Sequence, residues 1–270
     1  MCIRDRDNLV KSGVLDLQRV KYFGGTSAGS IVATLLASGH TVDELWEIMF
    51  ETKWNKLKDG NWFVNIFRLF KRFGFHKGQA LRSIIDDTLY KKTSKRGVTF
   101  SQLYNQTGKH LKMVCTNLTS GKIEYMDHIN TPTMPVSQGV QISSCVPFVF
   151  EPVLYNKSMY VDGGLIRNLD LNMFSEQNAK VLGLEIKDKF DVELTSITGF
   201  ATKVFVIIYE EANRIRERPE ASVISIVENQ LNALHLGINK RELEYLKTVG
   251  HQAVHDWLAE QVKHPPCVSQ

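Results

Sequence analysis

Between Leu9 and Val20 the apolar positions are Leu9, Val10, Val14, Leu15, Leu17 and Val20, and Gly13 suits a helix C-cap. Asp7–Ser12 therefore reads as the end of a short helix. Val20–Phe23 reads as a short strand, and Ile31–Ser38, ended by Gly39, as a buried helix. Thr41 with Glu44 three residues on is N-cap chemistry for a helix running through Glu51. Gly78–Tyr90 reads as another helix, Thr99–Tyr104 as a connection and Leu111–Thr116 as a strand. Asn117-Leu118-Thr119-Ser120-Gly121 then joins that strand to Lys122–Met126 with hairpin chemistry. Val136–Cys145 reads as a helix stopped by Pro147, Met159–Val161 as a short strand entering Asp162-Gly163-Gly164, and Val181–Ile186 as an apolar strand. After Leu194 the pattern is helical: Ile197–Arg216, Ala221–Asn232 and Lys240–Val262. Alternation of strands with helices predicts an α/β fold whose sheet, parallel or mixed, is covered on both faces.

Composition narrows the class. With 43% hydrophobic and 23% charged residues the chain is an ordinary globular one, neither disordered, collagen-like nor coiled-coil. A net charge of +4 gives no case for nucleic acid. No apolar run approaches the roughly 18 residues of a membrane span. Cys2, Cys115, Cys145 and Cys267 are spaced for neither a metal clamp nor a disulfide framework, so reduced thiols are expected. Met1-Cys2-Ile3-Arg4-Asp5-Arg6 back-translates to a string resembling the mosaic end of a transposon-based sequencing adapter. Residues 1–6 are accordingly expected to be non-native, and residues 7–270 to form one domain with 195–270 as its helical C-terminal part. A cytoplasmic or peripheral-membrane location is expected, with secretion left open because the native N-terminus would be missing.

One motif carries chemistry. Gly25-Thr26-Ser27-Ala28-Gly29 fits G-x-S-x-G between a strand and a helix. A nucleophilic serine must project from a sharp strand-to-helix turn, where side chains two residues either way are expected to collide. The helix N-terminus adds positive partial charge, and the Ala28 amide points where an oxyanion would form. The alternative is a turn with a purely architectural role. A serine needs a base, and none of the eight histidines sits where it suggests itself as partner to Ser27. Asp162 does, because Gly163 and Gly164 let backbone approach its carboxylate closely.

Between Trp54 and Phe75 the chain is aromatic and basic. Phe63, Phe67 and Phe70 fall on one helical face with Ile66 beside them, and Arg68, Lys71 and Arg72 meet no acid between Gly60 and Phe75. Trp62, Phe63, Phe67 and Phe70 are thus candidates for contact with an anionic membrane surface. The plainer reading is a helix packed on the core with a solvated basic edge. His251 and His255 lie four apart, but Gln252 stands where a zinc protease needs its glutamate. Asn117-Leu118-Thr119 matches a glycosylation acceptor only weakly, and no metal site or cofactor is expected.

The two motifs together resemble the patatin-like phospholipase family. Gly25–Gly29 looks like that family's nucleophile elbow, and Asp162-Gly163-Gly164 is similar to the motif that carries the aspartate of its Ser–Asp dyad. Ser143–Val153, Tyr160–Asn168 and Gly78–Leu81 add to the likeness, which runs from about Leu9 to Leu184. The resemblance implies a three-layer α/β/α fold with a mostly parallel central sheet. It implies a calcium-independent lipid acyl hydrolase of phospholipase A type, with catalytic Ser27 and Asp162, that acts on a lipid substrate at a membrane surface. Head group, acyl position and oligomeric state stay open. The family's glycine-rich oxyanion loop, G-G-G-x-[KR]-G, has no counterpart here. The first strand and that loop are therefore expected to be missing, which would weaken activity. A Ser–His–Asp hydrolase and a lipid- or partner-binding pseudoenzyme are the alternatives.

Overall fold

A computed structural model of the chain describes residues 15–175, 181–188, 203, 206–207, 209–213, 222–228 and 238–263. Residues 1–6, the expected helix end at Asp7–Ser12 and most of Ile197–Arg216 fall outside them.

Strand β1 (Tyr22–Gly25) leads into helix α1 (Ala28–Ala37), every residue of which from Ser30 onward is buried. Thr41 caps α2 (Val42–Glu51) with the reciprocal Glu44 bond that its sequence promised. A 3₁₀ turn at Trp54–Leu57 precedes α3 (Trp62–Arg72), capped by Asn61, and β2 (Gly74–His76) follows directly. Next come α4 (Gln79–Thr93) and α5 (Phe100–Thr107). The latter replaces the connection expected at Thr99–Tyr104. Thr99 and Gln102 form a capping box that starts a helix, with Phe100 and Leu103 buried beneath it.

The hairpin is β3 (His110–Asn117) and β4 (Lys122–Asp127). Asn117 is buried, and its side-chain oxygen accepts the Thr119 and Ser120 amides across the turn. Its Nδ2, the atom a glycan would join, donates to Glu124 Oε1 at 2.7 Å within the fold. Helix α6 (Val136–Ser143) leads through β5 (Phe148–Phe150) and β6 (Val153–Tyr155) to β7 (Ser158–Asp162). Strand β8 (Leu182–Asp188) pairs in parallel with β9 (Ser222–Glu228), and α7 (Lys240–Lys263) comes last among the described elements.

Strand β9 corrects the helix expected at Ala221–Asn232. Ile224, Ile226 and Glu228 are buried while Val223, Ser225 and Val227 between them are not, a period of two that fits a strand lying on α7.

The central sheet is mixed rather than mostly parallel: β1 runs parallel to β3, whereas β4 and β7 run antiparallel to it and β6 antiparallel to β7. A separate parallel pair joins β2 to β5. The largest core cluster lies where α1, α2, α4, α5 and α6 meet β3, with Leu45, Ile85, Leu89, Phe100 and Met113 buried in it.

One detail of topology makes the site. Strand β4 covers one edge of β3, and β1 and β7 divide the other between them. Gly25, the last residue of β1, is opposite Met113, and Asp162, the last of β7, is opposite Cys115. Two C-terminal strand ends therefore face each other across roughly 7 Å of β3.

Candidate active site

Ser27 stands in that gap. It follows β1 at the N-cap of α1 with φ 52° and ψ −127°, a conformation that L residues rarely adopt. Holding a serine there costs on the order of 1–3 kcal/mol. The strain is held by bonds on both sides. The Ser27 amide donates to the Ser143 carbonyl at 3.1 Å and reaches the Ser143 hydroxyl oxygen at 3.2 Å. On the other side the Ser27 carbonyl accepts from the Ser30 hydroxyl at 2.6 Å.

The glycines of the elbow are not equivalent. A Cβ on Gly25 would lie 2.3 Å from the Gly29 carbonyl, which bars any side chain. A Cβ on Gly29 would meet nothing within 4 Å, so the symmetric collision expected from the motif is real on the strand side only. Ala28 and Gly29 are exposed, leaving Ser27 approachable from solvent. As the first residue of α1, Ala28 presents an amide that a helix leaves without an intrahelical acceptor.

Asp162 is the buried counterpart, 4% exposed. Its amide donates to the Cys145 carbonyl at 2.8 Å, and its Oδ1 accepts the Gly164 amide at 2.7 Å. Among the described residues its Oδ2 has no partner in full hydrogen-bonding geometry, and the Ser27 hydroxyl is the side-chain donor that acts on the carboxyl. Burial pushes the Asp162 carboxyl up to about 6, against the opposing pull of the Ser27 hydroxyl and the Gly164 amide. Gly163 is needed for a different reason from the one its motif gives. Its Cβ would fall 2.5 Å from the Val114 carbonyl, so the crowding is against β3 rather than the carboxylate.

Ser143, at the end of α6, carries the framework, and sequence reasoning assigned it no role. In the gap between β1 and β7 the Val114 carbonyl accepts from the Ser143 hydroxyl at 2.7 Å. One residue thus ties β3 to the Ser27 amide. The only signal was a run of small polar residues, Ser143-Ser144-Cys145, ending a helix. Asn213 was also missed. Its side-chain amide donates to the Gly164 carbonyl at 2.6 Å, and its oxygen accepts the Asn168 amide.

None of His40, His76, His110 and His128 is engaged with Ser27 or Asp162. His40 bonds Ser38, His76 lies beside Asp59, His110 stacks on Tyr22 and His128 on Tyr104. His255, exposed on α7, lies beside Asp256. Cys115 and Cys145 are free and buried, and burial raises both thiols. Among the described residues no cluster could hold a metal ion and no helix is long and apolar enough to cross a membrane.

The aromatic helix is separate from this cluster. Phe67 and Phe70 are exposed on α3; Trp62 and Phe63 belong to its backbone, and their side chains lie outside the described residues. Arg68, expected on a solvated edge, is turned inward at 11% exposure, where it meets Asp59 at 3.0 Å and Glu151 at 3.1 Å.

Uncharacterised protein R571 of Acanthamoeba polyphaga mimivirus is 26% identical over 267 residues, covering 93% of this chain and 86% of that protein. Probable lipid hydrolase 463L of Invertebrate iridescent virus 6 is 25% identical over 193 residues, covering 70% of this chain and 63% of that one. Among solved structures, VipD from Legionella pneumophila superposes with a TM-score of 0.69 at 14% identity, over 96% of this chain and 64% of its own. The type III effector ExoU gives 0.51 at 14% identity, over 96% of this chain and 50% of its own. The chain thus spans less than two thirds of either of these two proteins, and at such identity the likeness is one of fold. The family model for patatin-like phospholipase matches residues 9–175, more than half of the sequence, and includes both Ser27 and Asp162. The chain belongs to the patatin-like phospholipase family.

Proposed function

We propose that the chain hydrolyses ester-linked fatty acyl chains of lipids, as a phospholipase A-type acyl hydrolase, through a dyad of Ser27 and Asp162. The observation that carries the reading is the convergence of a strained, accessible serine and a buried, partly unpartnered carboxyl at facing strand ends. The viral relative named as a probable lipid hydrolase supports the substrate class.

In this scheme the Asp162 carboxylate takes the hydroxyl proton as Ser27 Oγ attacks the ester carbonyl carbon. The carbonyl electron pair moves onto its oxygen, beside the Ala28 amide. Collapse of the intermediate breaks the ester C–O bond, and the departing alcohol takes the proton from Asp162. Water, deprotonated by Asp162, then attacks the acyl-serine. The second intermediate releases the fatty acid, and the proton returns to Ser27. A carboxyl poised at about 6 suits both halves: at neutral pH it is ionised, yet far more basic than an ordinary aspartate. The scheme calls on no cofactor.

Ser27→Ala and Asp162→Asn are each expected to lower phospholipid hydrolysis by on the order of 10³ or more while the chain stays folded. A fluorophosphonate probe should label the unmutated chain and not Ser27→Ala. Full activity in either variant rejects the dyad. A folded, unmutated chain that binds lipid and resists the probe is instead a non-catalytic lipid binder.

A further inference from the structure

Helix α3 buries a charge and exposes aromatic rings. Its inward side holds the Arg68 guanidinium, which reaches Asp59, Glu151 and, at 2.8 Å, the Phe75 carbonyl, beside half-buried Ile66 and Leu69. Its outward side is aromatic, with Phe67 64%, Phe70 77% and, at its C-cap, Phe73 56% exposed. A helix serving only its own core shows the reverse pattern. Single exposed apolar residues are ordinary, but a stripe at i, i+3 and i+6 marks an interaction surface. Phe73 strengthens the point, since it occupies the left-handed C-cap position that glycine fills with least strain.

Charge selects the partner. Lys71 and Arg72 are exposed in the last turn of α3, and the helix has no acidic residue. Asp59 and Glu151, the acids at its base, are already paired with Arg68. Among the described residues no acid pairs with Lys71 or Arg72, so the outward side offers aromatic rings beside cations, the pairing that suits a surface apolar within and anionic at its edge. A protein partner would have to supply an apolar groove rimmed with acids, whereas a bilayer with anionic head groups has both features throughout.

We propose that this side of α3 docks on an anionic lipid bilayer, with Phe67, Phe70 and Phe73 among the acyl chains and Lys71 and Arg72 on head-group phosphates. The proposal rests on the lipid-hydrolase reading, whose substrate lies in such a surface. The fold links the two places. Helix α3 runs into β2, β2 pairs with β5, and β5 follows Ser143–Cys145, the segment that bonds Ser27 and Asp162.

The test is co-sedimentation of the Ser27→Ala chain with phosphatidylglycerol–phosphatidylcholine vesicles and with phosphatidylcholine alone. Binding should favour the anionic vesicles and weaken with added salt. Phe67→Asp/Phe70→Asp should bind at least about tenfold more weakly. Lys71→Ala and Arg72→Ala should each lose about fivefold on the anionic vesicles. Both sites are exposed, so the melting temperature should hold, and the cation variants test the face without touching a ring. Three results overturn the proposal: no binding by the parent to either vesicle, undiminished binding by the double aspartate variant, or a dimer in solution that this variant dissociates. Binding is measured without turnover. Vesicle binding with no hydrolysis by the unmutated chain would therefore sink the hydrolase reading alone, and hydrolysis with undiminished binding by the double variant the docking alone.

Discussion

Burial of Asp162 sets a working range in pH. With its carboxyl at about 6, lipid hydrolysis should rise through a single ionisation near that pH and level off above it, as measured by a pH–rate profile. The same titration acts on stability with the opposite sense. An ordinary aspartate titrates near 3.8, so between that value and about 6 the folded chain binds a proton that the unfolded chain has released. The contribution of this group is fully present below 3.8 and lost as pH rises through about 6. A shift of this size corresponds to about 3 kcal/mol. Asp162→Asn, which cannot ionise, should therefore gain about 3 kcal/mol on the parent between those pH values, measured by denaturant unfolding at each. A carboxyl activated by desolvation makes the fold less stable at neutral pH, and that is where the proposed base works.

At the scale of elements, the elbow shows how far the sequence could be read. Strand, turn and helix were legible because G-x-S-x-G constrains backbone geometry locally. The asymmetry of its glycines was not, since it depends on where the first turn of α1 folds back. Gly25→Ala should cost about 1–3 kcal/mol or more, because the clash is with backbone and cannot be relieved by a rotamer change. Gly29→Ala should fold with unchanged or slightly higher stability, having open space and a better helix former. Thermal unfolding of the pair checks both. Thr41–Glu44 and Thr99–Gln102 carry the same cap signature, yet only the first stood before a pattern long enough to declare a helix. Strand β9 was hidden because Val223, Ile226 and Val227 also fit a helical spacing. The amphipathic period of α3 was legible, and its orientation was not. The partners that turn Arg68 inward, Asp59 and Glu151, come together only in the fold.

Across the whole molecule the site draws on more chain than its motifs span. The family match ends at residue 175, but Asn213 reaches back to hold Gly164 and Asn168, the loop that follows Asp162. Thr26, beside the serine, reaches the same loop through the Arg167 carbonyl at 3.5 Å. Asn213 is a positioning residue under the proposed mechanism. Asn213→Ala should lower kcat by about tenfold to a hundredfold with little change in KM. A loosened loop admits water to the carboxyl, so the acidic limb of the pH profile should also move below 6. A purely structural brace would lower the melting temperature and leave that limb in place.

Ser27 and Asp162 come from strands that meet β3 end to end, through pairings that enclose roughly 90 and roughly 50 residues of chain. Neither pairing places both residues. A growing polypeptide exposes Ser27 long before Asp162 has been synthesised, and Asn213 emerges later still. Under the proposed chemistry the serine has no base during that interval. Under that scheme hydrolytic capacity arrives late in synthesis and all at once.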